Sequence, residues 1–279
     1  MNNFFQQTNW RFIDQSISAN KRSPLESFAT DDTLCHLVGQ QMANRAIRTW
    51  VHHDAVVLGI QDHRLPHIEE GMAALIAQGY EPIVRNSGGL AVVLDAGVLN
   101  ISIIVSEEPP LSINAGFELM VTLIRQLFPE VAPKIEAYEI VGSYCPGSYD
   151  LSIDGKKFAG ISQRRMKNGI AVQIYLCVEG KGEARAELIK RFYEEGLQGE
   201  ETKFRYPDIV PDVMASLQQL MGQPLTVTDV NERLRKLLVQ WNGRLLEQPL
   251  QQEGMELYDY YLERIFKRNE SMLSKSITP

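Results

Sequence analysis

Residues 142–165 contain the side chains in this sequence best suited to covalent chemistry: a cysteine on a turn, followed by two lysines. Cys145 lies in Gly-Ser-Tyr-Cys-Pro-Gly-Ser-Tyr, and Gly, Pro and Ser favour turns. Two short alternating runs follow, joined by Asp-Gly at 154–155, which is a strong hairpin signal. The returning strand begins with Lys156 and Lys157. The hairpin can bring one of these lysines back to the cysteine, and only one, because neighbouring strand residues point to opposite faces.

A cysteine in this setting is a candidate nucleophile. The thiolate is the reactive form, and a nearby ammonium group favours it over the thiol. The alternative is a small buried side chain with a structural role, which is the commoner fate of a free cysteine. Cys35 and Cys177 lie inside apolar periodic segments, so both are interpreted as core residues. The turn and the lysines make Cys145 the candidate for catalysis.

A second segment, Val84-Arg-Asn-Ser-Gly-Gly-Leu-Ala-Val-Val-Leu-Asp95, carries a Gly-Gly pair between two apolar runs. Such a pair lets the backbone approach a ligand closely and exposes N–H donors. Taken alone it predicts only a turn, which is what Gly-Gly usually forms.

The irregular alternation of strand and helix signals predicts an α+β fold. Hairpin turns are expected at 54, 86–89, 154–155 and 168–169, which favours a mixed, largely antiparallel sheet packed with helices. Ser23, Pro24 and Glu26 form a helix-entry pattern with a capping box. The length of 279 residues suits one large domain with a small appendage. A segment rich in Gly, Pro and charges after Gly196 places the boundary between a catalytic domain, 1–196, and a helical C-terminal region, 197–279.

Composition excludes several classes of function. The net charge of −7 argues against general nucleic-acid binding, and no apolar stretch reaches membrane-spanning length. Three cysteines without paired spacing and the absence of a signal-peptide pattern favour a reducing compartment, so we expect a cytoplasmic protein. The five histidines show no metal-ligand spacing, so no metal site is expected. No dinucleotide-binding or P-loop fingerprint is found, and no cofactor is predicted.

Two motifs resemble a known family. Asp-Gly-Lys-Lys-Phe-Ala-Gly-Ile-Ser-Gln at 154–163 is similar to the D-G-(R/K)-K-(I/V)-(A/G)-G-S-A-Q signature of lipoate–protein ligases and octanoyltransferases. The invariant lysine of that signature corresponds to Lys157, and a cysteine on the preceding loop is typical of octanoyltransferases that use an acyl-thioester. The Gly-Gly segment partly matches the family's R-R-x-S-G-G-G-A-V-x-H-D lipoyl-binding loop. Its matching positions include Arg85, Ser87, Gly88 and Gly89, whereas Val84, Leu90 and Leu94 depart from the pattern.

The resemblance covers about residues 30–195 and implies the biotin/lipoate protein ligase fold. It implies octanoyl transfer through a thioester on Cys145, assisted by Lys157, with Arg85, Ser87, Gly88 and Gly89 binding the substrate. The implied donor is the octanoylated glycine cleavage H protein, and the implied acceptors are lipoyl domains of 2-oxoacid dehydrogenase acyltransferase subunits. Alternatives are an octanoyl-[acyl carrier protein] transferase, an ATP-dependent lipoate ligase and a non-catalytic lipoyl-domain binding protein. The last is disfavoured because binding alone needs neither Cys145 nor Lys157.

Overall fold

The computed structural model describes residues 2–6, 9–17, 22–85, 88–247 and 252–274. The helices are α1 Asn2–Phe5, α2 Pro24–Gly39, α3 Ile68–Ala77, α4 Ile113–Leu127, α5 Gly182–Leu197, α6 Leu217–Met221, α7 Val227–Asn242 and α8 Gln252–Ser274. The strands are β1 Arg11–Gln15, β2 Ala46–Trp50, β3 Ala55–Leu58, β4 Glu81–Val84, β5 Val92–Leu94, β6 Val98–Ser106, β7 Glu136–Ala137, β8 Leu151–Ile153, β9 Lys156–Met166 and β10 Gly169–Cys177.

The strands form two sheets. The larger has seven strands in the order β1-β2-β6-β10-β9-β8-β7, and only its β1–β2 pair is parallel. The smaller has the order β4-β3-β5, with β4 parallel and β5 antiparallel to β3. The predicted α+β fold with a mixed, largely antiparallel sheet is confirmed.

Both faces of the large sheet are buried. Apolar residues of β6 and β10, such as Ile101, Ile103 and Val172, pack with α4 and α7 on one face. Helix α2 packs against β6 and β10 on the other face and also against α8. The central strands are therefore covered on both sides, which explains their nearly continuous apolar sequences.

Local sequence signals explain how α2 begins. The Ser23 hydroxyl accepts a hydrogen bond from the Leu25 N–H at 3.3 Å, and Glu26 Oε1 accepts one from the Ser23 N–H at 3.2 Å. This is the predicted capping box, with Pro24 at the first helical position.

The hairpin that follows the cysteine loop forms as predicted. Asp154 and Gly155 both have positive φ, 53° and 75°, as a two-residue type I′ turn requires. The next turn is shifted by one residue from its predicted place, because Lys167 and Asn168 form it at φ 50° and 61°. Gly169 belongs to β10 instead. A Cβ on Gly169 would lie 2.0 Å from the Cys35 carbonyl oxygen, so this glycine lets the strand approach α2 closely.

The other two predicted hairpins are wrong. The strands on either side of Asp54 belong to different sheets, and the segment after Arg85 connects β4 to β5, which lie on opposite edges of β3. A turn signal between two apolar runs indicates only that the chain reverses there. It does not fix the strand with which each run pairs.

The C-terminal helices pack on the rest of the chain. Leu234 and Leu238 of α7 are fully buried in the same core as β6. The Asn242 side chain accepts a hydrogen bond from the Trp10 N–H at 3.1 Å and donates one to the Trp10 carbonyl at 2.8 Å. The division into a catalytic domain, 1–196, and a helical region, 197–279, stays a prediction.

Candidate active site

Cys145 lies on the loop between β7 and β8, at the mouth of a cavity of about 320 Å³. Its side chain is half-buried, whereas Cys35 and Cys177 are fully buried as expected. Cys145 has a φ of 44°, an uncommon conformation for a residue other than glycine. Such strained conformations concentrate at functional sites, where surrounding contacts hold them in place.

Two groups of the Gly-Gly segment reach the sulfur. The Leu90 N–H donates to Cys145 Sγ at 3.3 Å, and Arg85 Nη2 lies 3.6 Å from the same atom. Arg85 also donates to the carbonyl oxygen of Leu90, five residues further along the chain. This hydrogen bond joins the two ends of the Gly-Gly turn. A backbone N–H and a guanidinium therefore lie within contact distance of the sulfur.

Lys157 is fully buried beneath the cysteine loop. Its Nζ lies 2.9 Å from Asp150 Oδ1 and donates to the carbonyl oxygens of Tyr144 and Cys145, each at 2.9 Å, and to Ser143 Oγ at 3.2 Å. These contacts tie three consecutive residues of the loop to one point. Lys156, the neighbouring lysine, is half-buried and its backbone pairs with Ile153, so the two lysines lie on opposite faces of the strand as predicted.

Asp150 connects the lysine to the backbone of the loop. Its Oδ2 accepts hydrogen bonds from the Gly147 N–H at 3.2 Å and the Ile140 N–H at 3.3 Å. Burial raises the pKa of Asp150 above its ordinary value, while the Lys157 charge opposes that rise. Arg85 thus contacts the sulfur itself, whereas Lys157 contacts the backbone carbonyl oxygen of Cys145.

The two glycines of the Gly-Gly segment lie at the cavity, and Gly89 has a backbone conformation that favours glycine. Gly88 and Gly89 both line the cavity, and Gly89 has a φ of 113°. A Cβ on Gly89 would lie 2.5 Å from Arg85 Nη2, whereas one on Gly88 would meet nothing within 4 Å. Asn86 and Ser87, the latter a predicted substrate-binding residue, lie outside the described residues.

A buried carboxylate holds this glycine segment against β3. Asp62 Oδ2 accepts from the Gly59 N–H at 2.7 Å, and its Oδ1 accepts from the Tyr193 hydroxyl at 2.8 Å. The Ala91 N–H and the Arg85 charge also act on this carboxylate. Burial outweighs these contacts and raises the pKa of Asp62 to about 6.

The cavity beside Cys145 has mainly apolar walls. They are formed by aromatic and aliphatic side chains of both sheets and two helices, including Phe28, Trp50, Val57, Val92, Leu94, Phe117, Ile174 and Tyr175. The Tyr175 hydroxyl is buried and has no hydrogen-bond partner among the described protein atoms. Gly160 leaves room for this ring, because a Cβ there would lie 2.6 Å from Tyr175 Cε1.

A polar network behind the cavity fixes two of its walls. Asp31 Oδ2 accepts from Ser102 Oγ at 2.7 Å and from the Gln173 amide at 2.6 Å. Ser102 Oγ in turn accepts from the Trp50 indole N–H at 3.1 Å. Trp50 and Gln173, which both line the cavity, are therefore held by one buried carboxylate.

The structure brings together Cys145, Lys157, Arg85 and the two glycines, all predicted from the sequence. It adds Asp62, Asp150 and Tyr175 and the Leu90 backbone N–H, which sequence reasoning did not select. Asp150 has a weak sequence signal, because an acid precedes an apolar strand directly after the cysteine turn. The Leu90 N–H and Asp62 join the site through contacts between residues far apart in the chain, and Tyr175 joins it by lining the cavity.

The described part of the chain shows neither a metal-binding cluster of side chains nor a membrane-spanning helix. It contains no cluster of three or more histidine, cysteine or acidic side chains placed to hold a metal ion. Within the same residues, no helix combines the length and apolarity needed to cross a membrane.

Comparison with known proteins gives consistent matches. The model of the lipoyl protein ligase A/B catalytic domain matches residues 23–238. The chain is 63% identical to an octanoyl-[GcvH]:protein N-octanoyltransferase of Lysinibacillus sphaericus, covering 99% of each chain. It is 48% identical to a lipoyl-[GcvH]:protein N-lipoyltransferase of Listeria monocytogenes, covering 98% of this chain and 99% of the relative.

The fold is also found among solved structures. Lipoate-protein ligase A bound with ATP superposes with a TM-score of 0.68 over 92% of this chain and 95% of the ligase, at 14% identity. That identity supports the shared fold alone. The family model covers most of the described chain, the relatives match it nearly end to end, and the fold agrees. The chain therefore belongs to the lipoyl protein ligase A/B catalytic domain family.

Proposed function

We propose that this enzyme transfers an octanoyl group from the octanoylated glycine cleavage H protein to the lysine of a lipoyl domain. The acceptors are the acyltransferase subunits of 2-oxoacid dehydrogenases. Relatives that cover nearly the whole chain carry the corresponding transferase names. One observation of this structure supports the proposal above the rest. The half-buried thiol of Cys145 faces an apolar cavity and lies within reach of the Leu90 N–H and Arg85.

The first step forms a thioester. The Cys145 sulfur attacks the carbonyl carbon of the octanoyl-lysine amide of the donor, and a C–S bond forms as the C–N bond breaks. The thiol proton passes to the departing lysine nitrogen, which leaves as an amine. A covalent intermediate on one nucleophile divides a difficult acyl transfer into two easier steps.

In the second step an amine is the attacking group and the Cys145 sulfur is the leaving group. The amine of the acceptor lysine attacks the thioester carbonyl, an amide bond forms, and the C–S bond breaks. The proton lost by the amine returns to the sulfur, so the enzyme is regenerated without a further reactant. The chemistry balances without a nucleotide, in keeping with the prediction that no cofactor takes part.

Cys145 and Lys157 are the proposed catalytic residues, with different tasks. Lys157 holds the cysteine loop through three of its oxygen atoms and places a positive charge beside the Cys145 backbone. Arg85 and the Leu90 N–H face the sulfur and stabilise negative charge that develops there. Gly88, Gly89 and Ser87 are the further proposed substrate-binding residues.

The cavity supplies the binding energy for the alkyl chain. Burying each methylene group contributes ~0.8 kcal/mol, so the methylene groups of an octanoyl chain contribute roughly 5 kcal/mol. The aromatic and aliphatic walls suit such a chain. Chain length is therefore a natural basis for selecting the acyl group.

A lipoyl group is a second candidate, because the Listeria relative is named a lipoyltransferase at 48% identity. An octanoyl-[acyl carrier protein] donor and an ATP-dependent ligase reaction are further alternatives. The ligase reaction is disfavoured because Val84, Leu90 and Leu94 replace an arginine, a glycine and a histidine of the ligase-type loop. Loss of the arginine and the glycine weakens phosphate binding.

Mass spectrometry of the intact protein tests the proposal. We expect one octanoyl adduct after incubation with octanoylated H protein, and the same adduct in a Cys35→Ala control. Cys145→Ala should form no adduct and transfer no acyl group, while its far-UV circular dichroism stays unchanged because the residue lies on a loop. Full transfer by Cys145→Ala would exclude the thioester route.

Parallel incubations distinguish the alternatives. Lipoylated H protein and octanoyl-[acyl carrier protein] are offered separately as donors, and the fastest adduct identifies the preferred one. Free octanoate with ATP and magnesium should give no acylated lipoyl domain. Abundant product in that mixture would move the assignment to a ligase.

We also propose a cytoplasmic location. The three cysteines are all free, and free thiols persist in a reducing compartment. If growing cells are quenched with acid and their free thiols are then alkylated, Cys145 should be recovered in the alkylated, reduced form. A disulfide involving this residue in growing cells would contradict that location.

A further inference from the structure

The C-terminal helix α8 packs against two elements that form the surroundings of the acyl cavity. It contacts α2, whose Phe28 lines the cavity, and β4, whose last residue directly precedes Arg85. The match to the lipoyl protein ligase A/B catalytic domain ends at residue 238, whereas α8 spans Gln252–Ser274. The family match therefore assigns no role to this helix.

The buried face of α8 is largely apolar, but it continues into an amide. Tyr261 and Ile265 are each 4% exposed and belong to the core around the small sheet. Asn269 is four positions after Ile265 and is 8% exposed. Residues four positions apart lie on the same face of a helix, so Asn269 extends the face that packs on this core. A buried amide is favourable in such a place only when it forms a hydrogen bond.

The Asn269 amide meets the backbone at the end of β4. Its Oδ1 accepts a hydrogen bond from the Val84 N–H at 2.8 Å. Val84 is the last residue of β4, which is an edge strand of the small sheet. The N–H of the next residue, Arg85, donates to the Leu58 carbonyl oxygen beside β4 at 3.0 Å. Successive N–H groups of a strand point to opposite sides, so the Val84 N–H points to the outer edge of the sheet.

The Val84 N–H depends on this acceptor because the residue is shielded from water. Val84 is 2% exposed, and an unpaired backbone donor in such a place is unfavourable. Asn269 supplies the acceptor from 185 positions away in the chain. The end of β4 is therefore held from two sides, by Leu58 of the small sheet and by Asn269 of the helix.

The point that Asn269 holds is one residue from the contact with the sulfur. Arg85 Nη2 lies 3.6 Å from Cys145 Sγ, and the Arg85 side chain is mostly buried. A movement of the backbone at Val84 also moves the Cα atom of Arg85, and with it the guanidinium group. The hydrogen bond of Asn269 thus restrains the distance between this guanidinium and the sulfur.

We propose that Asn269 is a positioning residue that holds Arg85 beside the Cys145 sulfur, which makes α8 part of the active site. Asn269 acts through the backbone of Val84 rather than by contact with the reacting atoms. The placement of Arg85 rests on the contacts alone, whereas its effect on acyl transfer rests on the function proposed above.

A purely structural role for Asn269 makes a different prediction. Tyr261 offers the matched comparison, because its hydroxyl forms a hydrogen bond of 2.9 Å with His36 Nδ1 and so joins α8 to α2. Tyr261→Phe removes a polar contact of the same helix and keeps the Val84 contact. If the amide of Asn269 only fastens the helix, substitutions at the two positions affect Cys145 alike. If it positions Arg85, only the change at Asn269 affects Cys145.

The test compares alkylation of Cys145 by iodoacetate, an anion, with alkylation by neutral iodoacetamide. A guanidinium beside the sulfur attracts the anion, so the ratio of the two rates reports the position of Arg85. A general loss of stability changes both rates alike and leaves the ratio unchanged. Peptide mass spectrometry follows Cys145 separately from Cys35 and Cys177. The assay needs neither an acyl donor nor an acceptor, so it remains valid even if octanoyl transfer is not the activity.

The full-length wild type is compared with variants at three positions. We expect the ratio of iodoacetate to iodoacetamide rates to fall about fivefold in Arg85→Met and about threefold in Asn269→Leu. Tyr261→Phe should keep the wild-type ratio. Asn269→Ala also removes the acceptor and should lower the ratio, and it replaces the leucine variant if circular dichroism shows that the latter is unfolded.

Each of three results would overturn the proposal. A wild-type ratio in the folded Asn269 variants, with a lowered ratio in Arg85→Met, would reduce the amide to a packing contact of the helix. An equal fall in Tyr261→Phe would assign the effect to loosening of α8 as a whole. A wild-type ratio in Arg85→Met would show that the guanidinium does not act on the sulfur, which removes the route through which Asn269 is proposed to act.

Discussion

Two loops from different sheets meet at the Cys145 sulfur, and they are built on different principles. The cysteine loop connects β7 to β8 of the large sheet and is anchored from below by the buried Lys157–Asp150 ion pair. The glycine loop connects β4 to β5 of the small sheet and is anchored by the hydrogen bond of the Ala91 N–H to Asp62 and by Arg85. The first loop fixes the position of Cys145, and the second places the Leu90 N–H and the Arg85 guanidinium beside its sulfur. Substitutions in the cysteine loop should therefore mainly change the position of Cys145, and substitutions in the glycine loop should mainly change the reactivity of its sulfur.

The largest effect is expected from breaking the anchor of the cysteine loop. Lys157→Ala leaves Asp150 buried without its partner, which typically costs ~3–5 kcal/mol, and it should abolish transfer. Burial already raises the pKa of Asp150, and loss of the lysine raises it further. The stability deficit should therefore be largest at neutral pH and should shrink as the pH falls through the raised pKa, because Asp150 then becomes neutral.

Urea unfolding at several pH values measures this deficit, and Lys156→Ala is the matched control. Lys156 lies on the opposite face of the same strand, so its removal should leave both stability and transfer nearly unchanged. Normal stability in Lys157→Ala would show that the ion pair does not anchor the loop. A larger defect in Lys156→Ala would show that the two strand faces are interchanged.

The next effect concerns the anchor of the glycine loop. The pKa of Asp62 is raised to about 6, so its contribution to stability is fully present below its ordinary pKa and is lost as the pH rises through about 6. Asp62→Asn does not titrate. Relative to the wild type, this variant should gain up to about 3 kcal/mol as the pH rises across that range.

The Cys145 thiol of Asp62→Asn should also react more slowly. Asparagine has one acceptor oxygen where aspartate has two, so one of the hydrogen bonds that hold the glycine loop is lost and the segment that carries Leu90 becomes more mobile. Alkylation by iodoacetamide measures the reactivity, and thermal melting across pH measures the stability. Parallel melting curves of variant and wild type at all pH values would contradict the assigned role of the carboxylate.

A substitution inside the glycine loop should change reactivity with little change in the cysteine loop. Gly89→Ala places a methyl group against Arg85 at a positive φ, so we expect transfer to fall by about a hundredfold as the guanidinium moves away from the sulfur. Gly88→Ala adds the same methyl group in open space, away from Arg85, so its loss of transfer should be smaller. Single-turnover kinetics separate the two, and equal rates would remove Arg85 from the reaction.

The smallest effect should come from the cavity wall that faces both loops. Tyr175→Phe removes a buried hydroxyl that has no partner among the described protein atoms. If the hydroxyl bonds the acyl carbonyl, transfer should fall about tenfold, whereas stability should stay the same or rise slightly. Transfer rates equal to the wild type would assign the residue to packing alone.

Local rules of the sequence predict the hairpin beside the cysteine loop and the start of α2. The Asp154-Gly155 turn, the opposite faces of Lys156 and Lys157, and the capping box at Ser23 all depend on residues close together in the chain. The family motif then selects Lys157 over its neighbour. These features need no knowledge of which strands pair.

The environment of the sulfur could not be predicted in the same way. The Leu90 N–H reaches Cys145 across 55 positions of the chain, and the Asp62–Tyr193 contact spans 131 positions. Neither contact leaves a periodic pattern in the sequence. The wrong hairpins at Asp54 and after Arg85 have the same origin, because strand pairing across two sheets depends on the whole core.

The backbone of Lys157 has a consequence for synthesis of the enzyme on the ribosome. The Lys157 carbonyl accepts a hydrogen bond from the Ala215 N–H at 2.9 Å, and Met214 pairs beside the same strand residue. A nascent chain that has exposed only the cysteine hairpin still lacks residues 214 and 215, which make these two contacts. Both contacts therefore form only after residues 214 and 215 have been synthesised, and a truncated product that ends before Met214 carries the proposed nucleophile without this support.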